Sequence, residues 1–428
     1  MMFYKETDFT DTPIGKIPED WSVTKLDNLI EIETGKRAKG GGLDRGNVAS
    51  IGGEHIDDGG NIRWDDMKFI PEDFYNFLKQ GKVNLGDVLL VKDGATTGKV
   101  AIVKNLKYEK VAVNEHVFVI RSKMKRLTNE FLFYFLFSKF GQIQIKTRFH
   151  GMIGGIIRND LETILIPLPP VKEQQKITEI LSTVDEAIQK TNGIIAKTER
   201  LKKGLIQELL TKGIGHKEFK DSEIGRIPKE WEVVKIREVA EKFISGGTPS
   251  TKEPKYWNGD IPWIRSVHLA KYFIDKTSIE QYITKEGLEN SASNIVPRGN
   301  LIIATRVGIG KAAVNLIDVA INQDLTGIVI DKSQLDPLFA VWYLLSPRIS
   351  KLLESFGRGT TIKGIAQDYI KNLIIPLPSM KEQQKIAEIL STVDKKLELE
   401  KNEKAKLEKI KQGLMDLLLT GKIRVKVN

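Results

Sequence analysis

The sequence predicts an α+β protein: two similar globular domains joined by two long antiparallel coiled-coil helices, an internal duplication with pseudo-two-fold symmetry. Three observations carry this. The segment IGKIPEDWSVTKL, Ile14–Leu26, returns as IGRIPKEWEVVKI, Ile224–Ile236, at an offset of 210 residues. IPLPPVKEQQKITEILSTVD, Ile166–Asp185, returns as IPLPSMKEQQKIAEILSTVD, Ile375–Asp394, at an offset of 209. GLIQELLT, Gly204–Thr211, returns as GLMDLLLT, Gly413–Thr420, again at 209. Three collinear matches at nearly one offset give two copies that together fill the 428 residues.

Each copy opens on Ile-Pro-x-x-Trp, whose Trp21 and Trp231 read as core anchors. A variable region follows, with β-rich runs at Val83–Gly94, Val111–Ile120 and Gly299–Gly308 separated by Gly, Asn and Asp turns. Leu127–Phe140 and Asp336–Phe356 read as helices. Next come the strand-like runs Ile164–Ile166 and Leu373–Ile375, which Pro167 and Pro169, or Pro376 and Pro378, keep from turning helical. After the prolines the apolar period changes. Ile177, Leu181, Val184, Ile188, Ile195, Leu201, Leu205 and Leu209 in copy one, and Ile386, Leu390, Val393, Leu397, Leu407, Ile410, Leu414 and Leu418 in copy two, fall at helical spacing with Lys, Glu and Gln between. Each run covers about 41 residues, roughly 60 Å of helix, and is expected to pack on the other. A helix buried inside each domain is the competing reading, but such a helix rarely exceeds about 25 residues. Gly193, Gly204 and Gly413 each cost on the order of 1 kcal/mol relative to Ala in a helix. The expected boundaries are 1–170 and 213–379 for the globular domains, and 171–212 and 380–428 for the helices and C-terminal tail.

Composition narrows the function. Lys and Arg number 66 against 56 Asp and Glu, a net of +10, with a pI near 9.3. That balance favours a polyanionic partner, nucleic acid ahead of membrane. The absence of cysteine excludes disulfides, Cys-type zinc sites, iron–sulfur clusters and thiol nucleophiles. No signal-peptide stretch and no bilayer-length apolar run is visible, so a cytoplasmic protein is expected. GATTGKV, Gly94–Val100, resembles a phosphate loop but is one residue short and has Val100 where the magnesium-binding hydroxyl belongs. With GIGKAA, Gly308–Ala313, it reads as a tight hairpin shared by both copies. His55, His116, His150, His216 and His268 form no pair at metal-ligand spacing, and no G-x-S-x-G, H-E-x-x-H or Asn-Pro-Pro-aromatic motif occurs. No metal site and no cofactor site is expected.

Two Gly-rich basic stretches occupy matching places, ETGKRAKGGGLDRGN at Glu33–Asn47 and ISGGTPSTKEPKYWNGDIPWI at Ile244–Ile264. Glycines let backbone amides approach phosphates, and Lys36, Arg37, Lys39 and Arg45, or Lys252 and Lys255, supply charge. On residue type alone a solvated surface loop is the plainer reading; the matched position in both copies brings a DNA-facing loop level with it. A later pair, FHGMIGGI at Phe149–Ile156 and FGRGTTIKGI at Phe356–Ile365, adds hydroxyl and cationic donors suited to phosphates or base edges. Trp263 reads as core.

GGTPST…YWNGDIPWI, GTTIKGI, IPLPP-x-KEQ-x-KI, the ILSTVD helix and the two-copy layout resemble the specificity subunit of type I restriction–modification systems, over essentially the whole chain. The resemblance implies two target-recognition domains, each reading one half of a bipartite DNA sequence, joined by helices that act as spacer and docking surface. It implies as partners double-stranded DNA, two modification subunits using S-adenosylmethionine and restriction subunits using ATP, with this chain the non-catalytic member. Lys36, Arg37, Lys39, Arg45, Lys252, Lys255, Tyr256, Arg358 and Lys363 are then expected to contact phosphates or bases, with Thr248, Ser250, Thr360 and Thr361 adding hydrogen bonds. Lys172, Glu173, Gln174 and Gln175, with Lys381, Glu382, Gln383 and Gln384, are expected to face the modification subunits. Copy one departs from the pattern, with GKRAKGGG for GGTPST and GMIGG for GTTIKG. A structural coiled-coil scaffold, and a nuclease with a dispersed carboxylate–Lys site, remain the rival readings.

Overall fold

The computed structural model describes residues 3–151, 154–357 and 364–426. Two compact units result, Met1–Asn192 with Asn402–Asn428, and Gly193–Lys401.

In the first unit, strands Ile30–Thr34, Val117–Ser122, Val88–Val91 and Val100–Ile102 form an antiparallel sheet in that spatial order. VLLV at Val88–Val91 is buried at all four positions, so both faces of the sheet are covered. One cover is helix Asn129–Phe137, NEFLFYFLF, whose run from Phe131 to Leu136 is wholly buried. A second sheet sets Lys110–Val113 parallel to Val48–Ile51, which pairs antiparallel with Lys68–Ile70. The Ile-Pro-Leu strand Leu165–Leu168 returns to pair with Ser22–Lys25, beside buried Trp21.

The second unit repeats this plan. Ala240–Ser245, Leu325–Ile330, Leu301–Ala304 and Ala312–Asn315 form the antiparallel sheet, extended by Phe273–Ile274. Trp257–Ile264 runs parallel to Val319–Ile321. Helix Pro337–Leu344 covers the sheet, and Ile374–Leu377 pairs with Glu232–Lys235 beside buried Trp231. The glycine-rich motifs at Gly94 and Gly308 are hairpin connections, joining Val88–Val91 to Val100–Ile102 and Leu301–Ala304 to Ala312–Asn315.

The expected helices Leu127–Phe140 and Asp336–Phe356 are each broken in two. Ser138 stands in extended conformation between Asn129–Phe137 and Lys139–Lys146, and its hydroxyl caps the second helix at the Gly141 amide. Ser346 stands in the same extended conformation before Pro347–Phe356, where proline at the first helical position starts a new helix.

The long helices are Val171–Lys212 and Met380–Leu418. Within the second unit they run antiparallel, since Lys202 meets Asp394 while Glu199 meets Lys401 at 2.9 Å. Lys202 also sits over the Trp342 ring at 5.2 Å. Within the first unit, Lys411 pairs with buried Asp185 at 2.6 Å, and the Tyr134 hydroxyl donates to Asp185 at 2.8 Å. Burial, and then the Asp185 charge, push the Tyr134 hydroxyl well above its ordinary pKa, so it stays a donor.

A common clasp closes both units. Gly213 and Gly421, each at φ +67°, end the long helices in the left-handed conformation that glycine tolerates. Three residues on stand His216 and Arg424. His216 Nε2 lies 3.0 Å from Glu382, which also accepts the Trp231 indole N–H at 3.0 Å. Arg424 donates to Glu173 at 2.6 and 2.9 Å and to Asp20 at 2.8 Å, while Trp21 donates to Glu173 at 3.3 Å. Burial works against the Arg424 charge, but hydrogen bonds to Glu173 and Asp20 win and hold its pKa above the ordinary value. The first strand, Phe3–Lys5, pairs antiparallel with the last, Ile423–Val425.

This clasp corrects the expectation that the whole KEQQ segment faces a partner. Glu173, Gln174 and Gln383 are buried, and Glu382 is half-buried in its pair with His216. Gln174 accepts from the Thr128 amide and donates to the Arg126 and Pro169 carbonyls. Gln383 accepts from the Asp336 amide and donates to the Gln334 and Pro378 carbonyls. Each amide satisfies loop backbone that burial would otherwise orphan. Lys172, Gln175, Lys381 and Gln384 are the exposed members.

Candidate nucleic-acid interface

In the first unit the chain leaves strand Ile30–Thr34 at Gly35 and runs beneath the turn that ends Lys110–Val113. Gly35 is required there, because a Cβ would lie 2.1 Å from the Asn114 carbonyl oxygen and 2.2 Å from that of Val113. Lys36 and Arg37 follow, both exposed. Arg37 Nε lies 3.7 Å from Glu115. Lys36 and Arg37 line a groove of about 240 Å³ with Ser50, Glu54, Asn114 and His116. The Asn114 side chain accepts from the His116 amide at 3.0 Å and shapes the turn. Next to it His116 pairs with Asp93, which also pairs with Lys92. Burial pushes Asp93 upward, but hydrogen bonds from Lys92 and His116 pull harder and leave it below its ordinary pKa. Lys39 and Arg45 are exposed and lie outside the groove lining.

The second unit has the same construction. A Cβ on Gly246 would lie 2.3 Å from the carbonyl oxygens of Asn322 and Ile321. Asn322 accepts from the Asp324 amide at 3.1 Å, the counterpart of the Asn114 turn. Two residues after Gly246, Thr248 donates to the Gln323 side chain at 2.5 Å. Ser250 and Lys252 are exposed, and the Ser250 carbonyl accepts the Trp257 indole N–H at 3.1 Å. Lys255 pairs with Glu286 at 2.5 Å, a hydrogen bond that holds its ammonium above the usual lysine pKa, and it lies over Tyr256 at 5.4 Å. Tyr256 is half-buried, and Trp263 is buried as expected. Arg358, Thr360, Thr361 and Lys363 lie outside the described residues.

Sequence reasoning missed Glu115, His116 and Gln323. A signal existed: VAVN at Val111–Asn114 returns as VAIN at Val319–Asn322, and the residues that follow, Glu-His against Gln-Asp, differ where the frame repeats. Among the described residues no group of three or more His, Asp or Glu side chains could hold a metal, and no helix is long and apolar enough to cross a membrane.

The arrangement presents, twice, a glycine-braced loop with cationic or hydroxyl side chains against a polar turn. It offers hydrogen-bond donors and acceptors on an exposed face, the equipment for reading a polyanion with base edges.

Comparison with known proteins fits the duplication. The family model described as type I restriction modification DNA specificity domain matches residues 18–200 and again 228–409. A putative type I restriction enzyme MjaX specificity subunit from Methanocaldococcus jannaschii is 31% identical over 440 residues, covering 100% of this chain and 99% of that protein. The MjaVIII specificity subunit of the same organism is 32% identical over 441 residues, covering 100% and 98%. Among solved structures, a type I restriction–modification system S subunit from M. genitalium superposes with a TM-score of 0.59 at 17% identity, covering 97% of this chain and 100% of that one. A chain from a study of complex assembly and conformational transition of the type I system gives 0.54 at 20% identity, covering 95% and 99%. With both copies matched and relatives aligned along their whole length, the chain belongs to the family of type I restriction–modification DNA specificity subunits.

Proposed function

We propose that this chain is the DNA-reading, non-catalytic subunit of a type I restriction–modification complex, each unit reading one half of a bipartite target. The observation that carries the reading is the repeated glycine-braced loop and turn, alike in backbone between the units and different in side chains. Lys36, Arg37, Lys39, Arg45, Lys252 and Lys255 are the candidates for phosphate or base contacts, since cations and exposed amides set affinity and register on DNA. The Lys255–Glu286 pair is exposed and of little net stability, so it does not withhold Lys255 from DNA. The paired long helices act as a coiled-coil spacer. Exposed Lys172, Gln175, Lys381 and Gln384 recur in both copies and are proposed to face two modification subunits, which carry the S-adenosylmethionine chemistry, while restriction subunits carry the ATP-dependent chemistry. The test is methylation mapping with the chain assembled with modification subunits. Methylation should fall on two unlike half-sites around an unread gap, and the chain alone should neither methylate nor cut DNA. Methylation at one continuous site, or metal-dependent cleavage by the chain alone that a single carboxylate substitution abolishes, would refute the proposal.

A further inference from the structure

Two side-chain pairs occupy the same place in the two units and differ in chemistry. Gly35 and Gly246 each press their loop against the corresponding turn of their own unit, so Arg37 corresponds to Thr248, each two residues on. Asn114 and Asn322 shape that turn, so Glu115 corresponds to Gln323. In one unit the loop–turn couple is Arg37 with Glu115, an ion pair at 3.7 Å. In the other it is Thr248 with Gln323, a hydrogen bond at 2.5 Å. The frame is common and the couple is not.

The geometry points to Arg37–Glu115 and Thr248–Gln323 as the matched pairs that set which bases each unit reads. The inference rests on the DNA-reading function proposed above and names the side chains that perform it. A purely phosphate-binding role does not suit them. Glu115 beside Arg37 would repel a phosphate, and Thr248 and Gln323 carry no charge. Base edges suit both. An Arg fork matches the two major-groove acceptors of guanine, and a carboxylate accepts from the cytosine amino group. A Gln side chain matches the donor–acceptor pair of adenine, and a Thr methyl contacts the thymine methyl. The first unit should therefore read a G·C pair under its couple, and the second an A·T pair. All four side chains reach the surface, where a base edge could meet them. The Arg37 side chain is 74% exposed and Glu115 30%, and Thr248 and Gln323 are both exposed.

The test uses the chain assembled with modification subunits and a DNA library randomised in both half-sites, with bound or methylated molecules sequenced. Arg37→Thr combined with Glu115→Gln should shift preference from G·C towards A·T at one or two positions of one half-site. Good base contacts of this kind discriminate roughly fivefold to a hundredfold, and the shift should be of that size. The mirror variant, Thr248→Arg with Gln323→Glu, should move only the other half-site, in the opposite sense. An unchanged profile in both variants would overturn the assignment. So would a loss of affinity equal on all sequences with a salt slope smaller by about one, the mark of a phosphate contact. A wild-type complex that enriches no sequence at all would defeat the DNA-reading function itself, and this inference with it.

Discussion

Arg424→Met is expected to be costly, because Arg424 is the cation of a buried cluster. Methionine keeps length and apolar bulk but removes the charge, leaving Glu173, with a side chain 3% exposed, beside the Trp21 indole at 3.3 Å and without its Arg424 partner. Breaking a buried pair from one side costs roughly 3–5 kcal/mol, because the remaining charge is left unpaired. The Asp20 bond adds little, its side chain being 57% exposed. Glu173→Gln with Arg424→Met should recover part of the loss, since Glu173 is then no orphan, whereas Glu6, paired with Arg424 at 2.6 Å, loses its cation and keeps the Thr7 and Asp8 amides. Chemical denaturation of two units need not be two-state, so local amide hydrogen exchange is the better assay. Peptides spanning residues 3–25 and 420–426 should lose protection by roughly a hundredfold to a few thousandfold at 1.4 kcal/mol per decade. Peptides of the second unit serve as the internal reference. Unchanged protection in Arg424→Met, or a double variant no better than the single, would show that the clasp is not held by this charge.

Three other outcomes are expected. Gly204 and Gly413 lie in long helices with open space where a Cβ would stand, so Gly204→Ala and Gly413→Ala should each stabilise the surrounding helix by about 0.5–1 kcal/mol, read as roughly twofold to fivefold slower amide exchange there. Asp93 has its folded pKa held below the ordinary 3.8, so its stabilisation is complete above about pH 4 and is lost as pH falls through the folded value. Acid titration of stability should be shallower in Asp93→Asn, and an identical acid limb would show that Asp93 contributes nothing to it. Inserting one heptad at matching places in both long helices should, on the spacer reading, widen the methylated gap by about three base pairs, from ~10 Å of added helix at ~3.4 Å per pair. A gap-length library measures this directly, and an unchanged optimum in the assembled variant would reject the helices as the ruler.

The duplication was legible because identity at fixed spacing needs no physics to detect, and the long helices followed from their apolar period. Trp21 and Trp231 were legible for the same reason. What escaped was anything that depends on a partner distant in sequence. Gln174 and Gln383 look like solvent-facing polar residues of an amphipathic helix, yet each meets loop backbone some 46 or 47 positions away in the chain. Glu173 finds its cation at Arg424, and no local pattern records such a meeting. At the interface, Lys36 and Arg37 were visible as charge in a glycine-rich loop, whereas Glu115 and Gln323 sit beyond a separate strand end and acquire meaning only through the loop braced against them.

The first unit is discontinuous, and this bears on its biosynthesis. Its apolar core joins Trp21, Ile177 and Leu181 to Met415, Leu418 and Leu419. The second unit is one uninterrupted stretch, Gly193–Lys401. On the ribosome the second unit can therefore reach its native contacts while the first still lacks a wall of its core. At about 5–20 residues per second, the interval between synthesis of Asn192 and Arg424 is roughly 10–50 s. Through that interval the amino-terminal segment is expected to lack the cover that Met415, Leu418 and Leu419 give its apolar core in the finished protein. A slower ribosome lengthens the exposure without altering the finished protein, so the yield of soluble chain should depend on translation rate between codons 193 and 424, and on the chaperones present while it lasts.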